Sequence, residues 1–133
     1  MKNRTDKFLL AVFLLSFMLH VLIVLTYLEI IPFNRPLWLY SVHAWLAVGF
    51  SFCPAFCLQL LLCRKTRRWV AALPALAIIG AALWFACGWL TSMGWDSLGW
   101  AILFWLSIAP AAGCVLAWTA FGLCTLYRKG ALR

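Results

Sequence analysis

The sequence predicts an all-α membrane protein: a four-transmembrane-helix antiparallel bundle with both termini cytoplasmic. Three observations predict it. Four apolar segments, at about residues 8–27, 37–63, 69–90 and 98–126, each reach the ~20 residues that cross a ~30 Å hydrocarbon core. The chain is 67% hydrophobic and 11% charged, far from the soluble averages of about 45–50% and about 25%. Its cations collect at one set of span ends. With 133 residues, four spans and short loops use nearly all of the chain, so residues 1–133 are expected to form one transmembrane domain.

The first segment follows Lys2, Arg4 and Lys7, which resemble the positive start of a signal peptide. Its 20 apolar residues exceed the usual ~7–15 of a cleaved leader, and no Ala-x-Ala site follows. A retained span with a cytoplasmic N-terminus is the expectation. An outer turn with Pro32 and Pro36 leads to the second span. Arg64, Lys65, Thr66, Arg67 and Arg68 then form a tight cytoplasmic turn into the third. An outer turn with Gly94 and Asp96 leads to the fourth, which Arg128, Lys129 and Arg133 follow. Ten of the eleven basic residues therefore lie on one side, leaving Arg35 with Glu29 and Asp96 on the other. The loops are short enough for the positive-inside rule to set the orientation. Tyr27, Trp38, Tyr40, Trp89, Trp95 and Trp100 gather at the outer boundary, with Trp69 and Tyr127 at the inner one. Amphipathic rings prefer the headgroup layer. Links this short imply antiparallel neighbours.

Pro54 and Pro110 lie mid-span in the second and fourth segments. Each removes one backbone hydrogen bond, so kinks are expected there, with the carbonyls of Phe50 and Leu106 released. Ala109, Gly113 and Ala117 form a small-residue stripe at four-residue spacing, with Ala77/Ala81 and Ala82/Ala86 on the third span. Such stripes let two helix backbones come close, inside the bundle or across a dimer.

Net charge is +8, but the cations sit at span ends rather than along a soluble face, which excludes nucleic acid as a partner. No acidic or basic residue lies deep in a span, and buried charges mark most ion and proton pathways. The membrane-buried polar residues are Ser16, His20, His43 and Gln59. Counting inward from Glu29 and Pro36 puts His20 at about 13 Å and His43 at about 10 Å from the outer ends. The two histidines are thus expected in one layer, with Ser16 on the face of His20 and Tyr40 on that of His43. Interhelical hydrogen bonds and axial ligation of a b-type haem both fit such a pair. Gln59 is expected to bond a neighbouring helix or to reach the headgroups. The basic loop Arg64, Lys65, Arg67 and Arg68 determines topology and attracts anionic lipid.

Six cysteines (53, 57, 63, 87, 114 and 124) all fall within spans, where they act as small apolar residues rather than a disulfide framework. Cys53 and Cys57 share a face, but no third ligand accompanies them and no metal site is expected. Phosphate-loop, nucleophile-elbow, metalloprotease and dinucleotide-binding signatures are missing, as is Cys-x-x-Cys. No catalytic residue is assigned and no cofactor is expected, haem b at His20 and His43 being the alternative.

In span number and loop length alone, the chain resembles the immunity proteins against pore-forming bacteriocins, small inner-membrane proteins with little extramembrane mass. No residue motif carries that resemblance and no residue role follows from it. The expected function is helix–helix contact in a bacterial inner membrane, as an accessory or immunity-type subunit. Its partner would be another membrane protein or a second copy, in addition to the lipid bilayer. The alternative is a cofactor or small-molecule transport role at His20 and His43.

Overall fold

A computed structural model describes residues 2–34 and 36–130. Arg35 and Arg133, two of the cations counted above, lie outside them. The described residues are 88% helical, with no strand among them. They form α1 (Lys2–Tyr27), α2 (Leu37–Gly49), α3 (Phe52–Lys65), α4 (Arg68–Thr91) and α5 (Trp95–Gly130). α2 and α3 together make one candidate span, Leu37–Lys65, so four helical segments are long and apolar enough to cross a membrane.

The second span is split between Gly49 and Phe52, just ahead of Pro54, whose missing N–H frees the Phe50 carbonyl. The N–H of Phe50 still bonds Leu46 O, at 3.0 Å, and Ala55 N–H reaches Ser51 O at 3.3 Å. The Phe50 carbonyl, deprived of a donor at Pro54, accepts instead from Cys53 N–H at 3.2 Å, a tighter one-residue-shorter bond. Ser51 Oγ donates to Val48 O at 2.8 Å and satisfies another carbonyl at the break. α5 differs: it runs through Pro110 without interruption. α4 likewise contains Pro74, a third in-span proline that the sequence analysis passed over.

α1 ends on a left-handed residue. Glu29 has φ 61°, Ile30 N–H bonds Leu25 O at 3.1 Å, and Glu29 N–H bonds Thr26 O at 3.4 Å. This paired arrangement is a Schellman cap, in which glycine usually takes the place that Glu29 holds here. Side chains there carry a cost of about 1–2 kcal/mol.

The packing core lies where α3, α4 and α5 meet. Cys57, Leu61, Cys63, Ala71, Ala75, Cys114 and Ala117 are buried there with Gln59. Small residues dominate because close backbone approach, rather than hydrophobicity, drives association in lipid. α5 packs against both α4 and α3, which form the two largest contacts, and α1 packs mainly on α3. α4 and α5 are also joined by ring pairs, Phe85–Trp100 at 6.1 Å and Trp89–Phe104 at 5.9 Å. The Trp100 indole lies flat over Gly88, leaving no room for a Cβ. α1 stands apart, packed on the second span and making at most slight contact elsewhere. Only 6% of its apolar window is buried, against 33% for the second span. One polar tie fixes its beginning: Arg64 Nε donates to Asp6 Oδ1 at 2.8 Å.

Candidate functional site: the cleft at His43

His43 is buried and turns from α2 toward the last turns of α1. Its Nε2 lies 3.0 Å from Ile23 O and 3.1 Å from Thr26 Oγ1. A carbonyl only accepts, so Nε2 carries the proton and donates. Thr26 spends its own hydroxyl proton on the carbonyls of Leu22 or Ile23, both at 2.9 Å, leaving its oxygen to accept from His43. The imidazole is framed by rings, edge-on to Tyr27 at 5.6 Å and to Phe33 at 6.5 Å. Tyr40 packs on Tyr27 at 6.0 Å.

Beside this group opens a cleft of about 330 Å³, walled by Leu22, Ile23, Phe33, Leu39 and Leu46, with Thr26 and His43 as its polar floor. Apolar walls converging on one polar point are the usual make-up of a small binding site. Three connections build it: the capped end of α1 that sets Thr26, the 28–36 loop that supplies Phe33, and the start of α2.

The other predicted polar residues are dispersed. His20 does not share a layer with His43. Its ring stacks on Phe50 at 6.4 Å, seven residues beyond His43, or about 10 Å along the second span. Its Nδ1 is buried without a hydrogen-bond partner. The two imidazoles thus face different levels of the bundle. Ser16 is buried, but its Oγ donates to Phe13 O at 3.0 Å rather than to His20. Gln59 is the most enclosed polar side chain, at 1% exposure. Its Nε2 donates to Ala71 O at 2.5 Å and lies 3.7 Å from Cys63 Sγ. Gly113 and Ala117 are buried within the chain, and Gly113 sits directly against Phe52–Phe56 of α3; Ala109 is half-buried. In the basic loop, Arg64 is taken by Asp6, while Lys65, Arg67 and Arg68 are exposed. Among the described residues, no three His, Cys, Asp or Glu side chains converge as a metal site.

Sequence reasoning missed Thr26, the residue that gives His43 its setting. The available signal was its being the one aliphatic hydroxyl in the outer turns of the first span. It also missed Asp6 as the partner of Arg64. No family model matches the chain, and no curated protein or solved structure is significantly similar to it.

The polar floor makes a measurable contribution. Thr26→Val keeps the shape and removes one acceptor of the His43 N–H, Ile23 O remaining. A loss of about 0.6–1.7 kcal/mol is expected, the range for interhelical polar contacts in membranes. SDS titration of the purified protein, followed by tryptophan fluorescence, measures it. An unchanged midpoint would mean that the Thr26–His43 contact contributes nothing to stability.

Proposed function

We propose that this is a non-enzymatic integral membrane protein that works by lateral helix–helix contact, as an accessory or immunity-type subunit. Four antiparallel spans with both termini in the cytoplasm, in a bacterial inner membrane, fit the charge distribution best. The Asp6–Arg64 pair supports that topology, because it joins the start of α1 to the end of the second span. The observation that carries the functional reading is the one-sided packing of α1. It packs on the second span, with at most slight contact elsewhere, and forms with it the His43 cleft, so most of its remaining surface is open to a neighbouring helix.

A photo-crosslinking residue at Leu22 or Leu46, on the cleft rim, tests this in intact cells. Discrete protein adducts are expected there and not from Leu123 on α5. Ile23→Trp, which fills the cleft, should remove them. An adduct of twice the chain's mass identifies a second copy as partner. Equal labelling from both faces, or none from the rim, contradicts the reading.

The His43 cleft also favours a second reading, a small-molecule or cofactor site. An absorbance scan with metal analysis separates the two. A Soret band or stoichiometric metal, lost in His43→Ala, would replace the contact reading with that one.

A further inference from the structure

A second cleft lies at the other end of the molecule, between the start of α4 and the end of α5. Trp118, Phe121, Gly122, Thr125, Leu126 and Lys129 recur at helical spacing along one face of α5, and Arg68 from the first turn of α4 closes the cleft. Its volume is about 250 Å³, below the ~300–1,000 Å³ that encloses a whole ligand. The cleft therefore suits a compact group at its mouth, with the rest of the molecule outside.

Its two ends differ in chemistry. The Arg68 and Lys129 end is cationic, and among the described residues no side-chain carboxylate neutralises it. Asp6 is taken by Arg64, Glu29 closes the far end of α1, and Asp96 begins α5 more than thirty residues from Lys129. α4 adds to the positive field: its first turn has no acidic residue, and its N-cap Arg67 makes no side-chain cap bond. Amides at an uncapped helix start favour an anion. The other walls are the rings of Trp118 and Phe121 and the Leu126 side chain. Thr125 is not a donor to the cleft, since its hydroxyl donates within α5 to Phe121 O or Gly122 O. Two unpaired cations above an apolar, ring-lined slot match a phosphodiester joined to acyl chains. They do not match a free anion or a soluble polyanion, neither of which needs the slot.

We propose that this cleft holds an anionic phospholipid of the cytoplasmic leaflet, its phosphodiester between Arg68 and Lys129 and its first acyl methylenes against Trp118, Phe121 and Leu126. The inference rests on the membrane topology proposed above. It is independent of the His43 cleft. Basic recesses between membrane helices on the cytoplasmic side are the sites where charged headgroups gain most.

Native mass spectrometry of the full-length protein in mild detergent tests it, with phosphatidylglycerol, phosphatidylcholine and inorganic phosphate as probes. One phosphatidylglycerol is expected to be retained about ten-fold or more over phosphatidylcholine. Arg68→Gln and Lys129→Gln should each weaken it about five-fold, near the value of one surface cation. Lys65→Gln, outside the cleft, should not. Gly122→Leu keeps every charge and fills the slot, and its Cβ starts into open space, with nothing within 4 Å; an unchanged SDS midpoint checks that the variant folds. The substitution should abolish the preference. Equal binding of the two lipids overturns the proposal, as does an equal effect of Lys65→Gln, which would reduce it to diffuse surface charge. Inorganic phosphate displacing the lipid, with Gly122→Leu unaffected, would make this a soluble-anion site instead. Release of the chain from membranes by alkaline carbonate would fail the membrane reading itself. A carbonate-resistant chain without lipid preference fails this proposal alone.

Discussion

Gly113→Leu is expected to prevent α3 and α5 from docking, at a cost of about 3 kcal/mol or more, the upper range for overpacking a filled interior. The reason is backbone proximity. A Cβ placed on Gly113 would lie 2.7 Å from Phe52 O, 3.1 Å from Phe56 N and 3.3 Å from Ala55 Cβ. The first two are main-chain atoms, which no rotamer change can move. Even Gly113→Ala should cost about 1–3 kcal/mol, although alanine is the better helix former by about 0.5–1 kcal/mol. Gly80 and Gly122 provide the comparison, since a Cβ at either meets nothing within 4 Å. Gly80→Ala and Gly122→Ala should be neutral or stabilising. SDS titration followed by the fluorescence of the nine tryptophans reads all four variants. If Gly113→Ala tracks Gly80→Ala, α3 and α5 do not approach as closely as this structure places them.

The same position shows what was legible from sequence. Small residues at 109, 113 and 117 marked a close-packing face, but the pattern alone left inside-the-bundle and dimer readings open. Phe52–Phe56 decides between them, and no spacing rule within α5 could point to that segment of another helix. Span number and approximate limits were legible because bilayer thickness imposes one length on every crossing segment. Break points were legible only in part, because proline removes a donor wherever it stands but the surroundings decide whether the helix ends. The helix divides beside Pro54, whereas Pro74 and Pro110 leave theirs undivided, although Ser107 Oγ bonds Phe104 O ahead of Pro110 just as Ser51 Oγ bonds Val48 O ahead of Pro54.

The histidine layer shows the limit of counting residues. Depths measured from Glu29 and Pro36 treat those two residues as level. The observed bonds from His43 to Ile23 and Thr26 put Pro36 about 4 Å farther out than Glu29, at 1.5 Å per residue. A nine-residue connection readily absorbs such an offset, and the Schellman cap at Glu29 creates part of it by turning the chain sharply at the end of α1. His43 therefore meets Thr26, and His20 is left opposite Phe50. Long-range polar partners such as Arg64 for Asp6, fifty-eight positions away, follow from which helices are neighbours, which no single span's sequence encodes.

Gln59→Ala is expected to cost about 2–4 kcal/mol, and the division of that cost tests how the core is held. The side chain is fully enclosed and ties α3 to α4 through its bond to Ala71 O. Truncation leaves a cavity beside Cys63 and Ala71, and cavity formation accounts for most of the figure. The hydrogen bond itself is worth less, about 0.6 kcal/mol on average in membrane bundles and about 1.7 kcal/mol at most. Gln59→Met separates the two by keeping the volume and removing the donor, so it should cost only about 1 kcal/mol. Pro74 gives a reason for the bond to exist. It has no N–H for the carbonyl of Val70, so α4 is weakened within one turn of Ala71, and a side chain from α3 braces the adjacent carbonyl. Gln59 would then act mainly on α4. Loss of protection at the amides of Ala71 and Ala75 in hydrogen exchange should exceed that at α5 residues such as Cys114. Methionine and alanine variants of equal stability would show that the amide bond, and not packing volume, holds α3 to α4.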